Sequence, residues 1–290
     1  MTFTALLVKE LRTHLRRERA IWTVVAYLTI LGLLGFVFLL RANAFSGGYR
    51  VYLLSQVGAQ LFALLAFLQL LWVVFTAPAF TSTAVNGEKE RQTYDLLICS
   101  RLNAFSLLSA KLIAGLANVL LLIAASLPLF SLVFFFGGVA PSQVLSLLVV
   151  YAMTALVAGT FGLCCSTLLK QPAVSTSLVY TFCVVWMFAY WIVYYILGGT
   201  SAANLSRIGW VQWLNAWNPI AAMNSVVNAG QSNAATFTLG RLPLAHWIAF
   251  TLMSLVVTII LFLLSSMFAK PDTLRRAQLR LSSRRRAAME

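Results

Sequence analysis

Charged side chains are scarce in this chain. Only 10% of its 290 residues are charged, whereas 61% are hydrophobic, and a soluble domain usually carries about a quarter charged residues. So few polar side chains cannot cover the surface of a soluble globule. Apolar runs recur along the chain, each long enough to cross a hydrocarbon layer of roughly 30 Å, which takes about 20 helical residues. The sequence therefore predicts an integral membrane protein.

The apolar runs are predicted to be helices rather than barrel strands. They are continuously apolar and much longer than the alternating segments of about ten residues that build a barrel. We expect an all-α integral membrane protein with six transmembrane helices, in one membrane domain that covers residues 1–290. A cleaved signal peptide is not favoured, because the first run exceeds the apolar core of about 7–15 residues that such signals have. The predicted spans are residues 20–40, 53–77, 111–136, 144–168, 173–197 and 246–268.

The basic residues are placed unevenly around these spans. Of the 21 Lys and Arg residues, all but Arg41, Arg50, Arg207 and Arg241 lie in the segments that share one side of the membrane with both termini. The positive-inside rule therefore places both termini in the cytoplasm. The net charge of +14 is assigned to membrane topology rather than to nucleic-acid binding, because the basic segments flank the spans.

Three segments outside the spans have their own patterns. Residues 1–19 place apolar and basic side chains on opposite faces of a helix, which predicts an amphipathic elbow helix on the inner membrane surface. The basic tail, 270–290, is expected to bind anionic lipid. The external segment, 198–245, is predicted to form a re-entrant or helical hairpin, because three tryptophans recur there at helical spacing: Trp210, Trp213 and Trp217.

Several kinds of chemistry are missing from the sequence. No Asp, Glu, Lys or Arg lies in the middle of a predicted span, as a proton-coupled carrier would need. Lys111, at the start of span three, is expected to snorkel to the membrane surface. Neither a HExxH motif nor the phosphate-binding GxxxxGK[ST] motif is present. If the protein moves a substrate uphill, another polypeptide must supply the energy from the cytoplasmic side.

The predicted cytoplasmic loop 78–108, between spans two and three, is unusually acidic. Its stretch AVNGEKERQTYDLL contains three of the chain's seven carboxylates, Glu88, Glu90 and Asp95. Helical spacing gives this stretch one polar face. Two interpretations remain open: a solvated amphipathic helix with local ion pairs, or a helix that docks a partner.

The same region resembles a known family. Its sequence GEKERQTYDLLICSRLNAFSLLSAKLIAGL is similar to the signature of permease subunits of type-2 ABC exporters, with Gln92 where the family usually has Gly. The stretches SLPLFSLVFFFGGV and WNPIAAM resemble further family segments. The matching residues of the signature are Glu88, Lys89, Glu90, Arg91, Thr93, Leu96, Leu97 and Lys111.

The resemblance implies a non-catalytic subunit of the bacterial cytoplasmic membrane, without a cofactor of its own. Its expected partners are an ATP-binding cassette subunit that binds the ATP, a second copy or a homologous permease, and membrane lipids. A cytoplasmic coupling helix between spans two and three would contact the ATP-binding subunit. The residues implied in coupling are Glu88, Lys89, Glu90, Arg91 and Thr93. The residues that would line a pathway are Gln56, Gln60, Gln69, Trp186, Tyr190 and Tyr194.

Two other classes of function are open on the sequence. One is a membrane assembly or signalling protein that uses an ATPase for mechanical work without carrying a substrate. The other is an ion-coupled carrier, since sodium can be bound by carbonyl and hydroxyl oxygens alone. Nothing in the sequence selects a substrate.

Overall fold

The computed structural model describes residues 18–41, 51–90, 104–169, 171–196, 209–229, 236–239 and 242–268. Six long helices in these ranges are α1 (Glu18–Arg41), α2 (Val51–Thr81), α4 (Ala104–Phe136), α5 (Pro141–Leu168), α6 (Pro172–Ile196) and α9 (His246–Phe268). Shorter elements are α3 (Asn86–Glu90), α7 (Gly209–Ala216), α8 (Pro219–Val227), β1 (Thr236–Leu239) and β2 (Leu242–Ala245).

The six long helices confirm the six predicted spans, because each is long and apolar enough to cross a membrane. Most ends agree within a few residues, but α4 begins at Ala104 rather than at residue 111. At the other side of the loop, α2 continues through Pro78 to Thr81. The polar segment between these two spans is therefore shorter than the predicted 78–108. Pro78 and Lys111, which suggested helix ends, both lie inside helices.

The helices α2 and α5 form the centre of the bundle. In the most apolar stretch of each of these helices, 56% of the residues are buried. The corresponding share is 17% in α1 and 22% in both α6 and α9. The Tyr151 hydroxyl on α5 donates a 2.9 Å hydrogen bond to the Ala66 carbonyl of α2. Such bonds between helices satisfy polar groups that have no water nearby. The outer helices expose broad apolar faces, which suit contact with lipid.

A short turn of residues 137–140 connects α4 to α5. Gly137 and Gly138 have φ values of 76° and 85°. Residues other than glycine rarely adopt such positive φ values, because their Cβ atom clashes with the backbone. A Cβ atom on Gly138 would lie 2.4 Å from the Ser55 carbonyl oxygen. The turn therefore brings its backbone directly against the start of α2.

Segment 198–245, which was predicted to be external, contains two short helices in its described part and also a feature that the sequence did not predict. After α7 and α8, strands β1 and β2 pair antiparallel, with Thr236 opposite Ala245 and Leu239 opposite Leu242. A proline inside a run argues against a strand, and Pro243 lies within β2. Most of the predicted elbow helix 1–19 and all of the basic tail 270–290 lie outside the described residues.

The last residue of α2 lies in a crevice between α4 and α5. Glycines on both helices face Thr81: Gly115 on α4, and Gly159 and Gly162 on α5. A Cβ on Gly162 would come within 2.4 Å of the Thr81 hydroxyl oxygen. Small residues allow membrane helices to approach this closely.

We expect the substitution Gly162→Ala to destabilise the protein, because the added methyl group would collide with the end of α2. Overpacking of this kind costs about 1–3 kcal/mol and should lower the thermal unfolding midpoint in detergent micelles. Gly32→Ala is the matched control, since its Cβ would meet Leu129 at an ordinary 3.9 Å. Equal unfolding midpoints for the two variants would contradict the close packing at Gly162.

Candidate functional site

A polar joint forms where α2 ends and α3 begins. We define the α3 joint as residues 82–90 together with the side chains of α4, α5 and α6 that bind them. The turn is closely hydrogen-bonded, from Ser82 N to Pro78 O at 2.8 Å and from Glu88 N to Val85 O at 3.1 Å. The short helix α3 is therefore attached to α2 by a structured turn rather than by an extended loop.

Ser166 of α5 binds the first residues of α3. Its hydroxyl oxygen accepts hydrogen bonds from the backbone N–H groups of Val85, at 2.9 Å, and Asn86, at 3.1 Å. The same hydroxyl donates to the Asn86 side-chain oxygen at 3.1 Å. Ser166 and Asn86 are both fully buried. N–H groups at the start of a helix have no partner within the helix, and here a neighbouring span supplies one.

The first turn of α6 binds the turn before α3. The Ser175 hydroxyl donates to the Ser82 carbonyl oxygen at 2.8 Å. The hydroxyls of Ser82 and Thr176 lie 3.2 Å apart, a hydrogen bond in which either can donate. The α3 joint is therefore fastened to α6 as well as to α5.

An ion pair joins α3 to α4. The Lys111 Nζ atom lies 2.5 Å from Glu88 Oε1, and the two side chains are 6% and 23% exposed, respectively. The Lys111 side chain therefore reaches α3 of the connecting segment, and its snorkelling to the membrane surface stays a prediction. Because α4 begins at Ala104, Lys111 lies about two turns inside the helix, where a carboxylate of α3 neutralises it.

The predicted coupling residues have different surroundings. Glu88 faces α4 through its ion pair, while Glu90, the last residue of α3, is exposed. Lys89 lies between them on α3, and its side chain is outside the described part. Arg91 and Thr93 also lie outside the described residues, so their coupling role stays a prediction.

Sequence reasoning missed the hydroxyl residues that hold α3. Ser166, Ser175 and Thr176 lie at the ends of apolar runs, where serine and threonine are common and carry no motif. Their positions near the ends of two consecutive spans were the available signal, but it does not indicate which backbone groups they bind.

A second cluster consists of aromatic rings on α5, α6 and α9, several of them stacked. The rings of Phe161 on α5 and Phe182 on α6 have centroids 3.9 Å apart, and Trp186 stacks on Phe250 of α9 at 6.2 Å. The Trp186 indole N–H donates to the Trp217 carbonyl oxygen at 2.8 Å. These rings pack α5, α6 and α9 around the short connection between α7 and α8.

Asn218 organises that connection. Its side-chain oxygen accepts the backbone N–H of Ile220 at 2.8 Å, which caps α8, and Pro219 occupies the first turn, where no N–H is needed. Its side-chain nitrogen donates to the Met187 carbonyl of α6 at 2.9 Å. One asparagine therefore starts α8 and anchors it to α6.

The predicted pathway residues do not share one surface. On α2, Gln56 and Gln60 are exposed, whereas Gln69 is fully buried inside the bundle. On α6, Trp186 is buried in the aromatic cluster and Tyr190 is half-buried. The Tyr194 side chain lies outside the described part of the chain. A pathway lined by these residues stays a prediction.

The fold and the joint define a multi-pass helical membrane protein with a short polar helix inserted between its second and third spans. A family model described as "ABC-2 family transporter protein" matches residues 43–268, and the chain belongs to that family. The resemblance seen in the sequence is thereby confirmed, and the chain is a permease of an ABC transporter. A search of curated proteins found no match.

The Glu88–Lys111 pair generates a stability prediction. Glu88→Gln or Lys111→Met alone should lower stability by about 2–4 kcal/mol, because each leaves one charge largely buried without its partner. Removing both charges, with Glu88→Gln and Lys111→Met together, should cost less than the two single losses added. Thermal unfolding of the four proteins gives the cycle. If the stability loss of the double variant equalled the sum of the two single losses, the Glu88–Lys111 interaction would be contradicted.

A further prediction concerns Asn218. Asn218→Ala removes a helix cap and a hydrogen bond to α6, so we expect a loss of about 1–3 kcal/mol. Asn224→Ala, on the exposed face of α8, is the matched control and should change the unfolding midpoint little. Similar midpoints for the two variants would show that Asn218 does not anchor α8.

Proposed function

We propose that this permease is the membrane-spanning subunit of an ATP-driven exporter, and that α3 is the helix through which it binds a separate ATP-binding cassette subunit. ATP is bound and hydrolysed by that partner, so this chain needs no cofactor and performs no chemical step. Family membership supports the partner class.

One observation carries the proposal about α3. Its two described carboxylates face opposite ways: Glu88 is engaged with Lys111 inside the protein, and Glu90 is exposed on the same short helix. A merely solvated helix would leave both carboxylates to water. A helix that is fixed on its inner side and charged on its outer side is suited to docking, because exposed charge sets the register and specificity of an interface.

The membrane setting proposed is the bacterial cytoplasmic membrane, with both termini and α3 in the cytoplasm. The charge distribution supports this orientation. We also propose that two permeases form the pathway, as two copies or as a pair of homologues. The broad apolar faces of α1, α6 and α9 suit contact with a second permease and with lipid.

The docking role is tested by reversing charge on the outer side of α3. Glu90→Arg should weaken copurification of the ATP-binding subunit by about tenfold or more, since like charges across an interface cost several kcal/mol. The fold should be unaffected because Glu90 is exposed. Retained ATPase activity in the affinity-purified complex provides the measurement.

Arg41→Glu is the matched control. Arg41 is exposed at the last turn of α1, at the end of the bundle opposite α3, and its reversal changes net charge by the same magnitude in the opposite direction. Wild-type recovery of the ATPase with Glu90→Arg would contradict docking through α3. Loss with both variants would point to a general effect of charge.

A further inference from the structure

We propose that Ser166 is a positioning residue that transmits the movement of α3 directly to α5, the central helix of the bundle. The inference rests on the proposed function and deepens it. Chain connectivity alone would pass a push on α3 to α2 and α4, the two spans that the loop joins. The contacts of Ser166 add a third route, to a span that is distant in the sequence.

The bonding capacity of the serine hydroxyl is fully used in this contact. A hydroxyl has one donor and two acceptor positions. Ser166 accepts from Val85 N and Asn86 N and donates to Asn86 Oδ1. Val85, Asn86 and Ser166 are all completely buried, so water cannot take the place of the hydroxyl. The Ser166 hydroxyl of α5 therefore binds the backbone at the N-terminal end of α3 directly, and this contact allows little relative movement.

The alternative route to α4 is softer. It runs through the Glu88–Lys111 pair, and lysine reaches its partner on a flexible four-carbon stem. That stem can change conformation while the ion pair is kept. The serine hydroxyl lies one bond from Cβ and has no comparable freedom. A displacement of α3 should therefore move α5 more directly through Ser166 than it moves α4 through the ion pair.

The contact between Ser166 and α3 matters because α5 touches most of the other long helices. Helix α5 contacts α2, α4, α6 and α9, and at the same end of the bundle its Thr167 hydroxyl lies 3.3 Å from that of Ser265 on α9. The first turn of α6 is tied to the same turn of chain by Ser175. Movement delivered at Ser166 thus enters α5, the second of the two central helices, which also contacts α6 and α9.

The test measures which helices respond when the ATP-binding subunit closes. The full permease is purified with its ATP-binding subunit, reconstituted in nanodiscs, and trapped with ATP and vanadate. Hydrogen exchange is then followed in peptides from α3, from the C-terminal end of α5 and from the N-terminal end of α6. In the wild type, trapping should change exchange in all three regions.

Ser166→Ala should keep the response of α3 and lose at least half of the response of α5. Thr160→Ala is the matched control, because Thr160 is buried on the same helix and its hydroxyl bonds carbonyls of its own helix, Leu156 O at 2.8 Å and Val157 O at 3.0 Å. Ser166→Thr keeps the hydroxyl and should retain the wild-type response. A purely structural role for Ser166 would lower stability without separating the two responses.

An unchanged α5 response in Ser166→Ala would overturn the inference. If that variant fails to fold, Asn86→Ala decides, since it removes one of the three hydrogen bonds and should give a partial loss at α5; a full response would again overturn the inference. Failure of the proposed function is distinguishable: in that case α3 of the wild type would not respond to trapping, or no ATP-binding subunit would copurify.

Discussion

The absence of water inside a membrane bundle is the constraint on which this structure depends. A polar group in hydrocarbon must find its partner within the protein, so the few polar side chains of this chain hold together particular helices. Tyr151 joins α5 to α2, Asn218 joins α8 to α6, and Ser166 joins α5 to α3. The rest of the bundle is filled by apolar side chains, which fit closely but specify no single contact. Polar groups therefore decide which elements are fastened and which are free to slide along apolar surfaces.

The two polar connections have different characters. At the α3 joint, hydroxyl groups bind backbone atoms, and an ion pair lies just inside the protein surface. At Asn218, a helix cap combines with aromatic rings that pack around Trp186 and Trp217. The first connection gathers segments of α2, α4, α5 and α6 around one short helix, and the second fixes the segment before the last span. The two connections therefore fasten different sets of helices.

Much of the fold could be predicted from the sequence. Long apolar runs predict spans because a hydrocarbon layer sets their length, and all six are present. The ends of the spans were harder, since Pro78 and Lys111 carry the usual signs of a helix end and yet lie within helices. Pro78 is tolerated because one missing N–H does not stop a helix whose other groups are bonded. Lys111 is tolerated because Glu88 neutralises it, and a partner 23 residues away leaves no local pattern. The charge cluster indicated where the candidate site lies, but its hydroxyl contacts to α5 depend on tertiary packing and could not be predicted.

The separation of Glu88 and Lys111 also has a meaning for biosynthesis. The chain is made from its N-terminus, so the carboxylate has already emerged when the lysine, 23 residues later, reaches the membrane. A lysine inside a helix opposes insertion, and a neighbouring acid of opposite sign removes much of that opposition. The spans α2 and α4 are thus suited to enter the membrane as one hairpin, with α3 in the connection between them and the charge pair closing as the third span arrives. The same contact that later positions α3 in the mature protein would then first serve as an aid to its assembly.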